Sequence, residues 1–425
     1  MKSLITLSLH LRRPGASNRN AMRRLVAFLL AAAFACALFG AAEAAILYDS
    51  GQTKCYQSED PYAEIPCYST GQDGEYTFAP LNYTATSSTV TDNNTGLLWQ
   101  RQDDGATRTW SAANTYCNGL SLGGYNTGWR LPSNQELMGL VDYSGGLAAD
   151  LGPAINTIYF MFPVSQSQFD YWTSTADVNV SNSAWYTNFS NGSTGSAAKT
   201  TSGIYLARCV HGTQLAYDHF GNNGDGTVTD QDTGLMWQRA EVTNTTWGDS
   251  LSYCNTLSLA GRKWRLPSIR ELTSLVDYSL TSPAMNTTIF SNSGAETYWS
   301  ATTDTSAGVY AWFVYILTGA LSTDPKTNPY WTKCVTCSEL PVWISGTAYY
   351  YSAVQTGYNN ITGGQTLQIQ SQPFTGNLSL LSRGAIAIKG GYNCDYSSNN
   401  GFSTIHGNVT VGTGTSIEVE KIIIQ

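Results

Sequence analysis

Apolar and polar positions between residues 85 and 340 follow one order of patterns, run through twice. Val90-Thr-Asp and Thr95-Gly-Leu-Leu-Trp99 place β-prone residues on either side of a polar turn, which predicts a hairpin. From 110 to 120 the apolar and aromatic residues fall at helical spacing, and Gly123-Gly124 supplies the stop. Ser133-x-x-Glu136 and Ser268-x-x-Glu271 each follow a proline and read as capping boxes opening a second helix through Leu-Val. After Pro153 the pattern changes to short β-rich runs at 171–175, 184–189 and 205–210, and the last of these carries a cysteine. Each copy therefore reads as hairpin, helix, helix, then strands. The expected class is α+β.

The duplication is explicit. Val90-Thr-Asp-Asn-Asn-Thr-Gly-Leu-Leu-Trp-Gln-Arg101 returns as Val228-Thr-Asp-Gln-Asp-Thr-Gly-Leu-Met-Trp-Gln-Arg239. Trp129-Arg-Leu-Pro-Ser returns as Trp264-Arg-Leu-Pro-Ser, and both copies go on to Leu-Val-Asp-Tyr-Ser. Tyr171-Trp172 matches Tyr298-Trp299, Ala184-Trp185 matches Ala311-Trp312, and Cys209-Val210 matches Cys334-Val335. A period this long marks duplicated domains rather than a solenoid. The expected organisation is a signal peptide at 1–44, an extension at 45–84, repeats at 85–212 and 213–337, and a β-rich unit at 338–425. In that last unit Phe374-Thr-Gly-Asn-Leu and Ile388-Lys-Gly-Gly-Tyr resemble the end coils of a parallel β-helix.

Composition sets the compartment. Arg23 and Arg24 precede an apolar run to Leu38, and small residues close at Ala42-Glu43-Ala44, the pattern of a secretory signal peptide. The run is too short for a comfortable membrane span. An exported protein, released or held at the outer surface, is expected. Cleavage there leaves 16 basic groups against 29 acidic ones. That field disfavours nucleic acid as a partner. Only 12% of residues are charged, with Gly, Ser, Thr, Asn and Tyr in their place, as on binding loops. Eight cysteines remain, an even number that favours a disulfide framework. The repeat pairs Cys117 with Cys209 and Cys254 with Cys334; Cys55–Cys67 and Cys337–Cys394 then follow. Cys334 is thus spoken for, so Cys334-x-x-Cys337 is not read as a redox motif.

The Thr-Gly-Leu-x-Trp, Trp-Arg-Leu-Pro-Ser-x-x-Glu-Leu, Tyr-Trp and final Cys-Val elements resemble the domain family named for the C-terminal domain of the Legionella collagen-like adhesin. The resemblance covers about 85–212 and 222–336. It implies two C-type-lectin-like domains, an extracellular binding role, and sulfated glycosaminoglycans as the ligands of the adhesin itself. This chain lacks a collagen-like stalk and is acidic.

Positions identical in both copies read as scaffold. Among them are Arg130 and Arg265, expected to pair with Asp142 and Asp277, with a shared clamp for a ligand carboxylate as the alternative. The variable stretches before each final cysteine, 175–205 and 302–330, read as ligand-facing through the Asp, Asn, Tyr and Trp side chains they carry. In the first copy these are Asp177, Asn179, Asn182, Trp185, Tyr186, Asn188 and Asn191. In the second they are Asp304, Tyr310, Trp312, Tyr315, Asp324 and Tyr330. Tyr and Asn together give rigid aromatic contact plus adaptable hydrogen bonding. Asp225 and Asp230 are the weak calcium candidates, read first as a hairpin turn because Asp225-Gly226 is a turn signal. No metal or cofactor is expected. No nucleophile, phosphate loop or His-x-x-x-His pair is apparent, so an enzyme is not expected. The reading is an adhesin-type protein that binds a glycan or protein. The alternative is a structural component of an extracellular assembly that self-associates through its β-rich C-terminus.

Overall fold

The computed structural model describes residues 49–76, 81–144, 153–163, 167–215, 218–291, 294, 296–347, 349–381, 384–394, 396, 398–413 and 416–425. The signal peptide expected at 1–44 lies outside them. In the first repeat the hairpin Thr89–Asp92 and Leu98–Gln100 forms as the alternation requires. Its turn is set by Asp92, whose carboxylate accepts from the Asn94 amide and the Thr95 hydroxyl. Strand Val210–His211 inserts between Leu98–Gln100 and Trp129–Arg130. A second sheet is the meander Asp170–Ala176, Ser183–Asn188 and Thr194–Ala198. The second repeat has the same plan, with sheets built on Thr227–Asp230 and on Thr297–Thr303.

Among the described residues each repeat carries two helices, both short. Helix α1 (Trp110–Asn118) is N-capped by Thr109 and α2 (Asn134–Met138) by the Ser133–Glu136 box. Helices α3 (Trp247–Thr256) and α4 (Ile269–Thr273) repeat this with Thr246 and the Ser268–Glu271 box.

The expectation of two α+β, C-type-lectin-like domains is corrected here. Among the described residues the chain is mostly β, with 36% strand and 11% helix, and the four sheets of the repeats take a four-bladed, propeller-like arrangement. The capping boxes announced where helices begin but not how long they run. Thr-, Ser-, Asn- and Gly-rich sequence cannot sustain them, and α2 and α4 end after five residues.

A single apolar cluster runs through both repeats. Trp185 of the first packs edge-on against Tyr278 of the second at 5.2 Å, and Trp312 of the second against Tyr143 of the first at 4.9 Å. These four residues are equivalent pairs, so the repeats meet about a pseudo-twofold axis. Polar contacts obey the same symmetry. Gln135 donates to the Val276 carbonyl, while its counterpart Arg270 donates to the carbonyls of Gly139 and Val141.

Behind each second sheet lies a buried charge. Arg208 donates to Asp103 at 2.8 Å and to the carbonyls of Gln100, Arg101 and Met161, and Tyr171 donates to the same carboxylate. The counterpart is Lys333, with Glu241 at 3.6 Å and Tyr298 donating to that glutamate. Such charges are tolerated because their hydrogen bonds are supplied by protein.

The third unit has its own core. Strands Thr366–Gln370, Ala385–Tyr392 and Ser416–Glu420 pair in parallel on one face. Pro373–Thr375, Ser403–His406 and Ile422–Ile424 do so on another. Helix α5 (Val354–Asn360) packs against this unit, which is therefore not purely β. The four disulfides are Cys55–Cys67, Cys117–Cys209, Cys254–Cys334 and Cys337–Cys394, the last tying this unit to the second repeat.

Two outcomes follow. Trp312→Ala should cost about 3–5 kcal/mol and move one calorimetric transition shared by both repeats; two independently melting repeats would contradict the common core. Asp103→Ala should cost about 3–5 kcal/mol by stranding Arg208, and Arg208→Met added to it should recover much of that loss in denaturant titration.

Candidate functional site

The N-terminal extension shows what a covered face looks like. Strands Cys55–Tyr56 and Glu64–Ile65 pair across the Cys55–Cys67 bond. Gln72 clamps Tyr56 through both its amide and its carbonyl. The Glu75 carboxylate collects the backbone amides of Ser69, Thr70 and Gly71. This compact piece lies over the second repeat. Gln52 donates to the Thr303 carbonyl, the Thr302 hydroxyl donates to Asp73, and Lys326 donates to the Gln57 carbonyl. The Lys326 ammonium stands 3.9 Å over the Trp247 ring, and Arg265 lies 4.9 Å from the Tyr76 ring. At Gly308 a side chain would run into the Tyr62 carbonyl.

Burial by the extension shifts protons. Lys326, 1% exposed, is pushed down to about 7 by desolvation. Desolvation raises Asp73 to about 6 and Asp49 to about 8, the latter also through the neighbouring Asp73 charge.

The same face of the first repeat is open. Trp110, equivalent to Trp247, is half-buried, with its indole donating to the Thr173 carbonyl and the Lys199 ammonium 4.6 Å over its ring. Lys199 is the counterpart of Lys326 and remains partly exposed. Beside it the loop 177–182 is held by Asp177, which accepts from the amides of Asn179 and Val180. The Asn182 carbonyl accepts from the Lys199 amide. Val178 and Val180 are then left 48% and 51% exposed. Two valines beside a tryptophan and a lysine, uncovered, make a surface for contact.

The ligand-facing residues expected from the sequence thus separate. Asp177, Asn179 and Asn182 lie on this loop, Asp177 as its buried organiser. Trp185 and Trp312 are buried in the shared core and face the opposite repeat. Asn188 and Asn191 cap the next turn, accepting from Ser190 and Ser193. Tyr186 packs on Tyr205 at 4.9 Å. Asp304 accepts from Ser306 in the loop beneath the extension. Asp324 accepts from Asn328 and Tyr330, and Tyr330 lies 4.6 Å from Trp299. Tyr310 is exposed and Tyr315 half-buried, both on the strand Tyr310–Tyr315 of the second repeat. Trp110, Val178, Val180 and Lys199 were missed. The alternation Asp177-Val-Asn-Val-Ser-Asn182, with valines in a loop otherwise polar, was the available signal.

Two further expectations resolve differently. Arg130 and Arg265 pair not with Asp142 and Asp277 but with the capping-box glutamates Glu136 and Glu271, both bidentately. Asp142 and Asp277 instead fold onto Ser144 and Ser279. The glutamate six residues on is nearer and already fixed by its helix, so the fork closes there. Asp225 accepts from Thr227, and Asp230 is buried, accepting from the amides of Asp232 and Thr233. Among the described residues no group of three or more His, Cys, Asp or Glu is arranged to hold a metal.

The family model of the Lcl C-terminal domain matches residues 88–211 and 226–336, together more than half of the chain. The chain belongs to the Lcl C-terminal domain family. No curated protein matches it. Membership and the four disulfides are consistent with an extracellular, adhesin-like protein. Among the described residues no helix is long and apolar enough to cross a membrane.

Asp73, which meets the second Lcl domain at Thr302, is expected to make the stability of the folded chain depend on pH, alongside Asp49. Its folded value of about 6 exceeds the unfolded 3.8, so the folded state holds the extra proton between them. The stability this contributes is full below pH 3.8 and lost as pH rises through about 6. Asp73→Asn should flatten that part of the melting-temperature profile between pH 4 and 7, and an unchanged slope would remove Asp73 as its source.

Proposed function

We propose that this protein is an extracellular, adhesin-type binding protein, and not an enzyme, which recognises a glycan or protein ligand through the open face of its first Lcl domain. One observation carries the reading. Equivalent faces exist in both domains, but the extension covers one and leaves the other with Val178, Val180, Trp110 and Lys199 accessible. An exposed apolar patch ringed by Asn, Asp and Lys suits contact with a partner. The second domain then acts as the support that holds the first in shape through the common core.

A second reading, a structural component of an extracellular assembly, is favoured by a separate feature. Val419 and Ile424, on the last coil of the C-terminal unit, and Val411, on the strand Val409–Val411 of the coil before it, are exposed, and stacked coils associate readily through such surfaces.

Val180→Asp combined with Lys199→Glu should lower retention on a panel of immobilised glycans and surface proteins by about tenfold or more, roughly 1.4 kcal/mol, with melting unchanged. Retention that survives both substitutions would place the ligand elsewhere. Concentration-dependent sedimentation lost with Val419→Asp would support the assembly reading in its stead.

A further inference from the structure

The seat that the extension occupies is built twice; on the first domain the linker's Gly212 and Leu215 reach Arg130 and Glu136, while Trp110, Val178, Val180 and Lys199 stay at least partly exposed. On the occupied side the segment starts in a slot beside the first domain's Asp142-Tyr143. There the Tyr143 amide donates to the Ser50 carbonyl, and Gly51 sits against the Asp142 carboxylate. It then crosses to the second domain's Thr302, Thr303, Lys326 and Trp247. The pseudo-twofold axis maps each part of this track onto a counterpart.

The counterpart of the slot is a cleft of about 330 Å³, lined by Gln135, Leu215, Asp218, Asp277 and Tyr278 among others. Gln135 stands where Arg270 stands beside the filled slot, and Asp277-Tyr278 where Asp142-Tyr143 stand. The counterpart of the far end is Thr175, Ala176, Lys199 and Trp110 on the first domain. Thr175 already accepts from the Asn134 amide, as Thr302 accepts from Ile269. In the second domain Thr302 makes one further bond, to the incoming Asp73 carboxyl. Both ends of the track are thus shaped for an extended segment of polypeptide.

From this we infer that the open face of the first Lcl domain binds a polypeptide segment of a partner protein, seated as residues 49–76 seat on the second domain. This rests on the binding role proposed above and assigns its ligand class. The occupied seat gives the chemistry. Residues 49–76 carry six carboxylates to one lysine, and four tyrosines. The Gln57 carbonyl and the Tyr56 ring meet Lys326, whose counterpart is Lys199, and Tyr76 lies over Arg265; Arg130, the counterpart of Arg265, already donates to Glu136 and to the Gly212 carbonyl. A tyrosine-bearing turn with a free carbonyl for the lysine is the complement. A backbone-led mode of this kind is a recurrent route to peptide capture. Where the seats differ, the open one is adapted to a different side chain: Leu251 is replaced by Asn114 and Thr303 by Ala176, and Val178 and Val180 are added.

The test uses the full chain and a synthetic peptide of residues 49–76 closed by its Cys55–Cys67 bond, titrated while Trp fluorescence and backbone amide shifts are followed. Saturable binding should perturb Trp110, Val178 and Val180. Lys199→Glu and, separately, Val180→Asp should weaken it about tenfold, while Tyr310→Ala leaves it unchanged. Absence of binding, or binding indifferent to Lys199→Glu, overturns the inference. So does displacement of the peptide by neutral or sulfated oligosaccharides that bind the face themselves; that result leaves the binding role standing and changes its ligand class. Self-association of the full chain that Lys199→Glu abolishes would make the occupant a second copy and also overturn it. Failure of the whole ligand panel would remove the binding role itself.

Discussion

Each Lcl domain finishes the other's core. Trp185 and Trp312 stand on the middle strands of their sheets, where a domain alone would leave them facing water; each is covered by the other domain's Tyr278 or Tyr143. Burying an aromatic of this size contributes on the order of 2–3 kcal/mol, and the contact is made twice. The cross-axis hydrogen bonds of Gln135 and Arg270 then satisfy carbonyls at the ends of the short helices α2 and α4. Helices of five residues have no stability of their own; they persist because the neighbouring domain closes them.

A shared core of this kind fixes the two domains in one orientation, and asymmetry then becomes informative. The same lysine position is 1% exposed in one copy and partly open in the other, solely because residues 49–76 run over one face. Lys326 is desolvated enough to fall to about 7, whereas Lys199, over the Trp110 ring, stays partly exposed. Two near-identical surfaces in different environments are an internal control: what the covered one satisfies with protein, the open one must satisfy with solvent or a ligand.

Much of this was legible in the sequence. The ordered return of Thr-Gly-Leu-x-Trp and Trp-Arg-Leu-Pro-Ser marked the duplication, and helix starts were marked by Thr109, Thr246 and the two capping boxes. The pairing of Cys117 with Cys209 follows from a helix and a strand recurring in each copy. Helix length and fold class were not legible, because capping residues report an end and say nothing of the next turn. The strand Thr194–Ala198, Thr-Gly-Ser-Ala-Ala, has none of the β-branched alternation that announces a strand and forms through pairing with Ser183–Asn188. The site was half visible: Asp177, Asn179 and Asn182 were found because the stretch that carries them varies between copies. Lys199 and Trp110 were passed over because their counterparts match, since identity of residue hid a difference of environment.

The buried charges show why identity between copies is a blunt guide even to scaffold. Arg208–Asp103 in the first domain becomes Lys333–Glu241 in the second. A long base with a short acid is exchanged for a shorter base with a longer acid, and Tyr171 and Tyr298 hold the carboxylate in both. Neither residue is kept, yet the interaction is. The constraint therefore acts on reach and charge: a cation from the strand preceding the last cysteine must arrive at three backbone carbonyls. In the second domain all three belong to the segment leaving the Trp-Gln-Arg strand; in the first two do, and Met161 supplies the third. The charge is there to finish the backbone, and the carboxylate is there to make the charge tolerable. By the same logic Lys326, which among the described residues has a carbonyl and two rings and no ion pair, is held by the extension that covers it and not by a carboxylate of its own domain.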